Sequence, residues 1–379
     1  MILRTTGTVT QILSTRPGLQ EIEVRLEGEL SRPDVTGHAS RRAINLTTLN
    51  GKAVVGDRVE LNTAAVEMDL GTGGWDYVVT VLGRETVEET PPGHIIKLRY
   101  TPLQTPVLSV EAPESPHHSA VCSFETLDET PVVCFELHSQ LPAIACAIER
   151  AIADTGRRIR VVYIMTDGAA LPIAFSKSVN TLKERGMLTC TITAGQAFGG
   201  DMEAVNIYSA LAAAYTAAKA DIILIGQGPG TVGTGTPLGF SGVDQGISIN
   251  AAASLGGTPI FVPRISFSDK RERHIGLSHH TITNLTRVVR AHVMVPIPRL
   301  GSTEQRQLGA ALQENGITEK HDVITVDSEY GLKAAEDSGI LLSTMGRSLS
   351  DERAFFLAAC AAGLLAAQVA ETRPARLRS

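Results

Sequence analysis

The stretch YIMTDGAALP, Tyr163–Pro172, decides the fold class of the chain. An apolar run ends at Thr166, an acid and a glycine follow, and Leu-Pro then leads into a helical pattern. Proline suits the first turn of a helix because its missing N–H would have no partner there. The same plan recurs in ELHSQLPAIACAI, Glu136–Ile148, with His138 in the place of Asp167. This repetition indicates strands that deliver polar side chains to one edge of a sheet.

From about residue 120 onward, apolar runs alternate with helical patterns. The runs are near-continuous, which is typical of parallel strands that are covered by helices on both faces. Seven strands are predicted, at 130–137, 158–165, 188–195, 220–226, 258–265, 291–297 and 322–327. Seven helices are predicted, at 141–154, 172–185, 203–219, 244–255, 282–290, 303–314 and 351–371. Because crossovers between parallel strands are right-handed, we expect a Rossmann-like, doubly wound, mostly parallel α/β sheet.

The first hundred residues have a different pattern. Five short runs rich in Val, Ile, Leu and Thr are separated by turn signals, which predicts a small closed β-barrel without unpaired edges. Residues 85–118 hold six prolines, which is typical of a linker. The predicted boundaries are a barrel at 1–100, a linker at 101–118, an α/β domain at 119–371 and a flexible tail at 372–379.

The composition limits the classes of partner. The chain has 379 residues and a formal net charge of −6, whereas a nucleic-acid binder needs basic clusters. Up to residue 84 the only aromatics are Trp75 and Tyr77, so the barrel region lacks a stacking platform for bases. The longest apolar run, 354–370, is shorter than the ~20 residues of a membrane span. We expect a cytoplasmic protein that binds a small anionic molecule and binds neither nucleic acid nor membrane. We also expect self-association through the α/β domain, because the apolar helix at 351–371 must be covered either by its own domain or by a second subunit.

The residues that follow each strand are the first candidates for a site, because open parallel sheets bind ligands beyond the carboxyl ends of their strands. His138 follows the first strand, Asp167 the second and Asp201 the third, while the polar segment after the fifth carries His279 and His280. These five residues are the candidate acid–base groups. The first three and His279 are also candidate ligands of a divalent metal, zinc or manganese for such a mixed set. The alternative is that Asp167 caps a turn and that His138 only satisfies the backbone.

The segment GQGPGTVGTGTPLGFSG, Gly226–Gly242, follows the fourth strand. Its glycines let backbone N–H groups approach an anion, and its threonines add hydroxyl donors. The candidate ligand-binding residues are Gly226, Gly228, Gly230, Thr231, Gly233, Thr234 and Gly235, together with Arg347 near the last helix. Known phosphate motifs fit poorly, since Thr234 stands where a P-loop has lysine and Arg264 stands where a dinucleotide site has an acid. A purely structural loop is the alternative.

Three segments resemble the marker motifs of a bacterial family that is known only as a domain of unknown function. They are DGAALP at 167–172, GQAFGGD at 195–201 and GLSHH at 276–280. The resemblance covers most of the chain and points to proteins of Gram-positive and related bacteria. It implies no reaction.

Three functions remain open at this stage. The first is a hydrolase or transferase that acts on a small anionic or phosphorylated metabolite held by the Gly-rich segment. The second is a non-catalytic ligand-binding or scaffold module. The third is an NAD(P)-dependent oxidoreductase, against which the position of the Gly-rich segment argues. They differ in whether the histidines and aspartates converge, and this depends on the order of the strands in the sheet.

Overall fold

A computed structural model describes residues 3–27, 40–70, 73–84, 93–153 and 155–373 of the protein. The chain divides into two compact units, of which the first comprises Met1–Pro92 and Leu98–Thr105 and the second Gly93–Lys97 and Pro106–Ser379. The predicted domain boundaries at 100 and 118 remain a prediction. From residue 374 onward, the predicted tail lies outside the described residues.

The first unit is a closed barrel of five strands in the order β1-β2-β3-β5-β4. The strands are β1 (Arg4–Arg16), β2 (Leu19–Glu27), β3 (Ser40–Leu46), β4 (Arg58–Asn62) and β5 (Asp76–Val81). Two short helices, α1 (Thr47–Asn50) and α2 (Ala64–Glu67), lie between them. Alternate side chains such as Val59 and Leu61 fill the interior, as the two-residue period of a strand requires. The predicted barrel is confirmed.

Part of the proline-rich segment is attached to the second unit. Two short strands, β6 (Ile95–Lys97) and β7 (Thr105–Val107), pair with each other. The Lys97 ammonium is buried and donates hydrogen bonds to the carbonyl groups of Thr193, Ala197 and Ala204. The backbone N–H of Val110 donates to the carbonyl group of Glu203 at 2.7 Å. Much of the segment predicted as a linker thus belongs to the α/β unit.

The second unit is built on an eight-stranded sheet with the order β11-β10-β9-β12-β8-β13-β16-β17. All neighbouring strands in it are parallel. The strands are β8 (Pro131–Cys134), β9 (Val161–Thr166), β10 (Cys190–Ala194), β11 (Met202–Ala204), β12 (Ile222–Gln227), β13 (Thr258–Phe261), β16 (Met294–Pro298) and β17 (Asp322–Val326). The Rossmann-like parallel sheet is confirmed. The strand that the sequence pattern missed is β11, which is only three residues long and lies at the edge.

Helices cover both faces of the sheet, and each face has its own apolar core. One face carries α4 (Leu141–Ile152), α5 (Lys177–Glu184), α11 (Glu329–Asp337) and α12 (Arg353–Thr372). The other carries α6 (Ile207–Thr216), α7 (Asp244–Ser254), α8 (His279–Thr283) and α9 (Ser302–Glu314). The remaining elements are short: α3 (His118–Cys122), α10 (Ile317–Lys320), and two hairpins, β14 (Ile265–Ser266) with β15 (Gly276–Leu277) and β18 (Ser343–Thr344) with β19 (Arg347–Ser348).

Among the described helices, α12 is the one that is long and apolar enough to cross a membrane. However, 78% of its apolar window is buried inside the protein, where α12 packs against α4 and α11. This is the situation of a core helix in a soluble domain, as the sequence predicts. Since its own domain covers α12, this helix does not require a second subunit, and self-association remains a prediction.

The strand order determines which loops meet. Strand β12 lies between β8 and β9, so the strand ends that precede His138 and Asp167 are not adjacent. After β8 the chain crosses one face towards β9, whereas after β13 it crosses the other face towards β16. The neighbours β8 and β13 therefore flank a switch point, which is where open α/β sheets bind ligands.

Candidate functional site

Charged side chains are buried at this switch point. Glu136 follows β8 and Arg264 follows β13, and both are almost fully buried. The Nη1 atom of Arg264 lies 3.5 Å from Oε1 of Glu136, and its Nη2 atom lies 3.5 Å from Oδ2 of Asp269. Arg271 and Arg347 also bind the Asp269 carboxylate, at 2.9 and 3.2 Å. Hydrogen bonding from Arg271 in particular holds the pKa of Asp269 well below its usual range. We call Arg264, Arg271 and Arg347 with Asp269 the arginine network.

Three histidines converge next to the arginine network. One potential ligand nitrogen from each of His274, His279 and His280 lies within 4.8 Å of the others. We call these residues the histidine cluster. His279 and His280 open α8, whose N-cap is Ser278, and His274 ends a 3-10 turn at Glu272–His274. The β14–β15 hairpin brings this turn back against the start of α8.

Hydrogen bonds orient two of the three imidazoles. Nδ1 of His280 lies 2.5 Å from Oε1 of Glu136, and Nδ1 of His274 lies 2.7 Å from Oγ of Ser278. Because Nδ1 is bound in both rings, Nε2 is the nitrogen left to face a ligand. Nε2 of His279 is buried and has no hydrogen-bond partner among the described residues. Histidines that bind metals commonly have their second nitrogen bound in this way by a carboxylate or another polar group.

The electrostatics of the cluster favour neutral imidazoles at His274 and His279. Burial lowers the pKa of His274 to about 3, and the positive charge of Arg264 contributes to this shift. Burial also lowers the pKa of His279 to about 4, with a contribution from His280. A neutral imidazole has a lone pair for a metal ion, whereas a protonated one does not. At neutral pH these side chains are therefore ready to act as ligands.

The Gly-rich segment folds as a hairpin over the histidine cluster. The backbone groups of Val232 and Ser241 are hydrogen bonded at 2.9 Å. The ring of Phe240 stacks on the ring of His280, with 3.8 Å between the centroids and 2° between the planes. A side chain at Gly233 would lie 3.9 Å from Nε2 of His280. We call residues 232–241 the glycine hairpin; it covers one face of the His280 ring and passes close to its Nε2 atom.

The polar groups of the hairpin are largely used within the loop. The Thr234 hydroxyl bonds to the Thr236 hydroxyl and to the Gly239 carbonyl group, both at 3.0 Å. Thr231 accepts a hydrogen bond from the side-chain amide of Gln227. Gly235 has a φ of 80°, which only glycine adopts without strain. These candidate ligand-binding residues thus shape the loop, and their contact with a ligand remains a prediction.

The three glycines that precede the hairpin are required by close packing or by the backbone conformation. Gly226 is part of β12, and a side chain there would collide with the ring of Phe135. A side chain at Gly228 would lie 2.5 Å from the carbonyl oxygen of Ala170. Gly230 has a φ of 101°. The base of the Gly-rich segment therefore packs closely against the DGAALP turn.

Arg273 lies at the opening of the cluster. Its side chain is exposed, and its guanidinium carbon lies 3.9 Å from the position that a side chain at Gly235 would take. Its charge also contributes to the lowered pKa of His279. In the part of the chain that the structure describes, the guanidinium has no hydrogen-bond or ion-pair partner. Arg273 is therefore available to bind an anion beside the histidines.

The first predicted site residue, His138, is buried and has a partner at each ring nitrogen. Nδ1 lies 3.2 Å from the Gln227 carbonyl oxygen, and Nε2 lies 2.6 Å from the Ser176 hydroxyl. Burial lowers the pKa of His138 to about 4. The structure does not bring His138 into the histidine cluster.

Asp167 is exposed at the end of β9. Its Oδ2 atom accepts a hydrogen bond from the backbone N–H of Gln196 at 2.8 Å. Its turn also contacts the base of the Gly-rich segment, because the N–H of Ala170 donates to the carbonyl group of Pro229 at 2.9 Å. Asp167 thus fixes a loop and still lies on the carboxyl edge of the sheet.

Asp201 has a local structural environment. It forms an ion pair with Lys183, and its Oδ2 atom accepts hydrogen bonds from the N–H and hydroxyl groups of Thr191 at 2.8 and 2.9 Å. Thr191 is near the amino end of β10, so these bonds hold Asp201 away from the carboxyl edge. Of the four candidate metal ligands from the sequence, only His279 joins a group of three donor residues within the described residues.

Comparison with known proteins identifies the family. A family described as "Protein of unknown function (DUF3866)" matches residues 42–363. The chain belongs to this family. The match extends from β3 of the barrel into α12 and confirms the resemblance that the sequence motifs indicated. No curated protein and no solved structure matches this DUF3866 chain.

Sequence reasoning missed several residues of the site in this DUF3866 protein, namely Glu136, Arg264, Asp269, Arg273 and His274. One signal was present: the run RISFSDKRERHIGLSHH lies between two apolar strands and holds three histidines and four basic residues. Glu136 lies close to this run because it follows β8 and the run follows β13. These two strands are far apart in sequence but adjacent in the sheet.

Proposed function

We propose that this protein is a metal-dependent hydrolase or transferase that acts on a small anionic or phosphorylated metabolite. The histidine cluster carries this proposal, because one nitrogen from each of three imidazoles lies within 4.8 Å of the others, and Nδ1 of two of these rings is bound by Glu136 and Ser278. A cytoplasmic location is part of the proposal. It is supported by five free cysteines, four of them buried, which suit a reducing compartment.

Zinc is the metal that the donor set favours. Imidazole nitrogen suits zinc, and three protein ligands with an open fourth position are typical of catalytic zinc sites. When bound there, zinc would supply a Lewis acid and a water molecule whose pKa is lowered to about 7. The oxygen-rich coordination that magnesium prefers is not what these three side chains offer.

The protein's own residues would have distinct tasks. Glu136 holds the proton of His280 on Nδ1 and so keeps Nε2 directed at the metal. Arg273 would bind the anionic group of the substrate, since its guanidinium is exposed beside His279. The glycine hairpin would exclude bulk water from the reacting group, because it lies against His280 through Phe240.

The metal content of the purified full-length protein tests the proposal. After removal of metals with a chelator, we expect zinc to bind once per chain. His279→Ala and His274→Ala should weaken zinc binding by about a hundredfold or more, since losing an outer-sphere partner alone costs about 10–100-fold. His292→Ala is the matched control, because His292 is exposed and pairs with Asp322. Failure of the wild-type protein to bind zinc, or equal binding by all four proteins, would overturn the proposal.

The role of Arg273 provides a second readout. Zinc-loaded protein would be assayed against phosphate monoesters, phosphate diesters and carboxylic esters of small anionic metabolites. Arg273→Ala should raise KM for the hydrolysed substrate and leave zinc affinity unchanged. Glu136→Gln should lower zinc affinity by about 10–100-fold. Zinc binding without hydrolysis or transfer in any assay would favour the alternative of a non-catalytic ligand-binding module.

A further inference from the structure

A second group of polar side chains lies on the carboxyl edge of the sheet, at the ends of β9 and β12. It consists of Asp167 directly after β9, Gln227 as the last residue of β12, and Asp244 as the first residue of α7. We call these three residues the acceptor cluster. All of them present oxygen atoms, in contrast to the nitrogens of the histidine cluster.

Gln227 contains an unpaired buried acceptor. The residue is 1% exposed. Its amide nitrogen donates to the Glu136 carbonyl oxygen at 3.0 Å and to the Thr231 hydroxyl at 3.1 Å, which fixes the orientation of the amide. The amide oxygen has no hydrogen-bond partner in the part of the chain that the structure describes. A buried oxygen of this kind requires a ligand, an ion or a water molecule to satisfy it.

The space in front of this oxygen is kept open by a glycine. A β-carbon at Gly168 would lie 2.8 Å from Oε1 of Gln227 and 3.4 Å from both Cβ and Cγ of Asp244. The amide oxygen and the Asp244 side chain therefore both lie next to Gly168. Any other residue at position 168 would place its side chain against them.

Asp244 adds a carboxylate to this space, and Asp167 directly precedes Gly168 in the chain. Asp244 accepts a hydrogen bond at Oδ2 from the Thr166 hydroxyl at 2.6 Å. Burial raises the pKa of Asp244, and the negative charge of Asp167 raises it further. Among the described residues neither carboxylate forms an ion pair. A cation between Asp167, Asp244 and the Gln227 oxygen would relieve the repulsion and satisfy the unpaired acceptor.

We propose that the acceptor cluster binds a hard divalent cation of the Mg²⁺ class. Carboxylate and amide oxygens with completing water molecules are the ligands that such ions take, whereas imidazoles select zinc. The two sites would therefore hold different metals on one edge of the sheet. The amide group of Gln227 links them, because it donates to the backbone of Glu136, whose side chain orients His280. This inference does not depend on the proposed enzymatic activity.

Calorimetric titration of chelator-treated full-length protein with MgCl₂ and MnCl₂ tests the inference. We expect one saturable site in the wild-type protein. Asp244→Asn and Asp167→Asn should each weaken it by at least about tenfold, because each removes a charged ligand. Gly168→Ala should weaken it too, by filling the space. Asp201→Asn is the matched control, since Asp201 is a carboxylate bound to Lys183 and Thr191.

The outcomes separate this site from the zinc site. The His279→Ala variant should bind Mg²⁺ as tightly as the wild-type protein does. One equivalent of zinc should not displace Mg²⁺ from the wild-type protein. The inference is overturned if the wild-type protein binds neither ion, if Asp167→Asn and Asp244→Asn both bind as tightly as the wild type, or if methylammonium chloride competes as effectively as Mg²⁺. Should Asp244→Asn fail to fold, Asp167→Asn decides alone, because Asp167 is exposed.

Discussion

His138 and the histidine cluster lie on the same edge of one sheet and share the same residue type, but they differ in hydrogen bonding. His138 has a partner at both ring nitrogens, the Gln227 carbonyl group and the Ser176 hydroxyl. His279 has a buried Nε2 without any partner in the described residues. Burial lowers the pKa of both to about 4, so the pKa does not separate them, although His138 is buried and His279 only partly so. The difference teaches that an unsatisfied donor or acceptor, rather than a shifted pKa, marks the residue that is available for a ligand.

The largest expected effect is on the free energy of unfolding, when His138 is replaced and compared with the same replacement at His279. His138→Ala leaves a cavity and two unpaired partners, so we expect a loss of about 2–4 kcal/mol in the free energy of unfolding. His279→Ala removes no hydrogen bond from the metal-free protein and should change this free energy by less than about 1 kcal/mol. Urea denaturation of both variants in the presence of a chelator measures the difference. Equal losses would mean that hydrogen-bond saturation does not distinguish the two histidines.

The next prediction compares the pH dependence of stability in the wild-type protein with that in a His138 variant. The folded-state pKa of His138 is lowered from 6.5 to about 4 by burial. Its contribution to stability is therefore complete above pH 6.5 and is lost as the pH falls towards 4, at a slope of up to about 1.4 kcal/mol per pH unit. His138→Gln should show a slope smaller by that amount between pH 6.5 and 4. Denaturation at several pH values checks this, and an unchanged slope would show that His138 does not stay neutral in the folded state.

The smallest expected effect concerns Asp201, a predicted acid–base residue whose ion-pair and hydrogen-bond partners are the nearby Lys183 and Thr191. Asp201→Asn weakens an exposed ion pair with Lys183 and keeps an acceptor for Thr191, so stability should fall by no more than about 1 kcal/mol. Zinc and Mg²⁺ binding should be those of the wild-type protein. A loss of either metal in this variant would return Asp201 to the candidate site.

The fold could be predicted largely from local patterns. Near-continuous apolar runs with Leu-Pro turns after them indicated the parallel sheet, and five short alternating runs indicated the barrel. The strand β11 was missed because its three residues, Met202–Ala204, are too few to form a pattern. The resemblance to a family of unknown function was confirmed by the match over residues 42–363.

The site could be predicted only in part, because strand order is not encoded in local patterns. His279 and His280 were selected for their unusual pairing, and the structure places them together beneath the glycine hairpin. Glu136 was passed over in favour of His138, which is two residues further along and turned towards Ser176. The insertion of β12 between β8 and β9 separates the strand ends of His138 and Asp167, and no periodicity in the sequence reveals that insertion.

The position of β12 also constrains how the protein is made on the ribosome. Strands β8 and β9 are synthesised first, but neither can complete its hydrogen bonds until Ile222–Gln227 has emerged to lie between them. A nascent chain that ends before this point exposes two apolar strand edges in the centre of the future sheet. Such edges are prone to aggregation, and closing the long loop that fills the gap is slow. Premature termination between residues 166 and 222 should therefore yield insoluble fragments rather than a smaller folded domain.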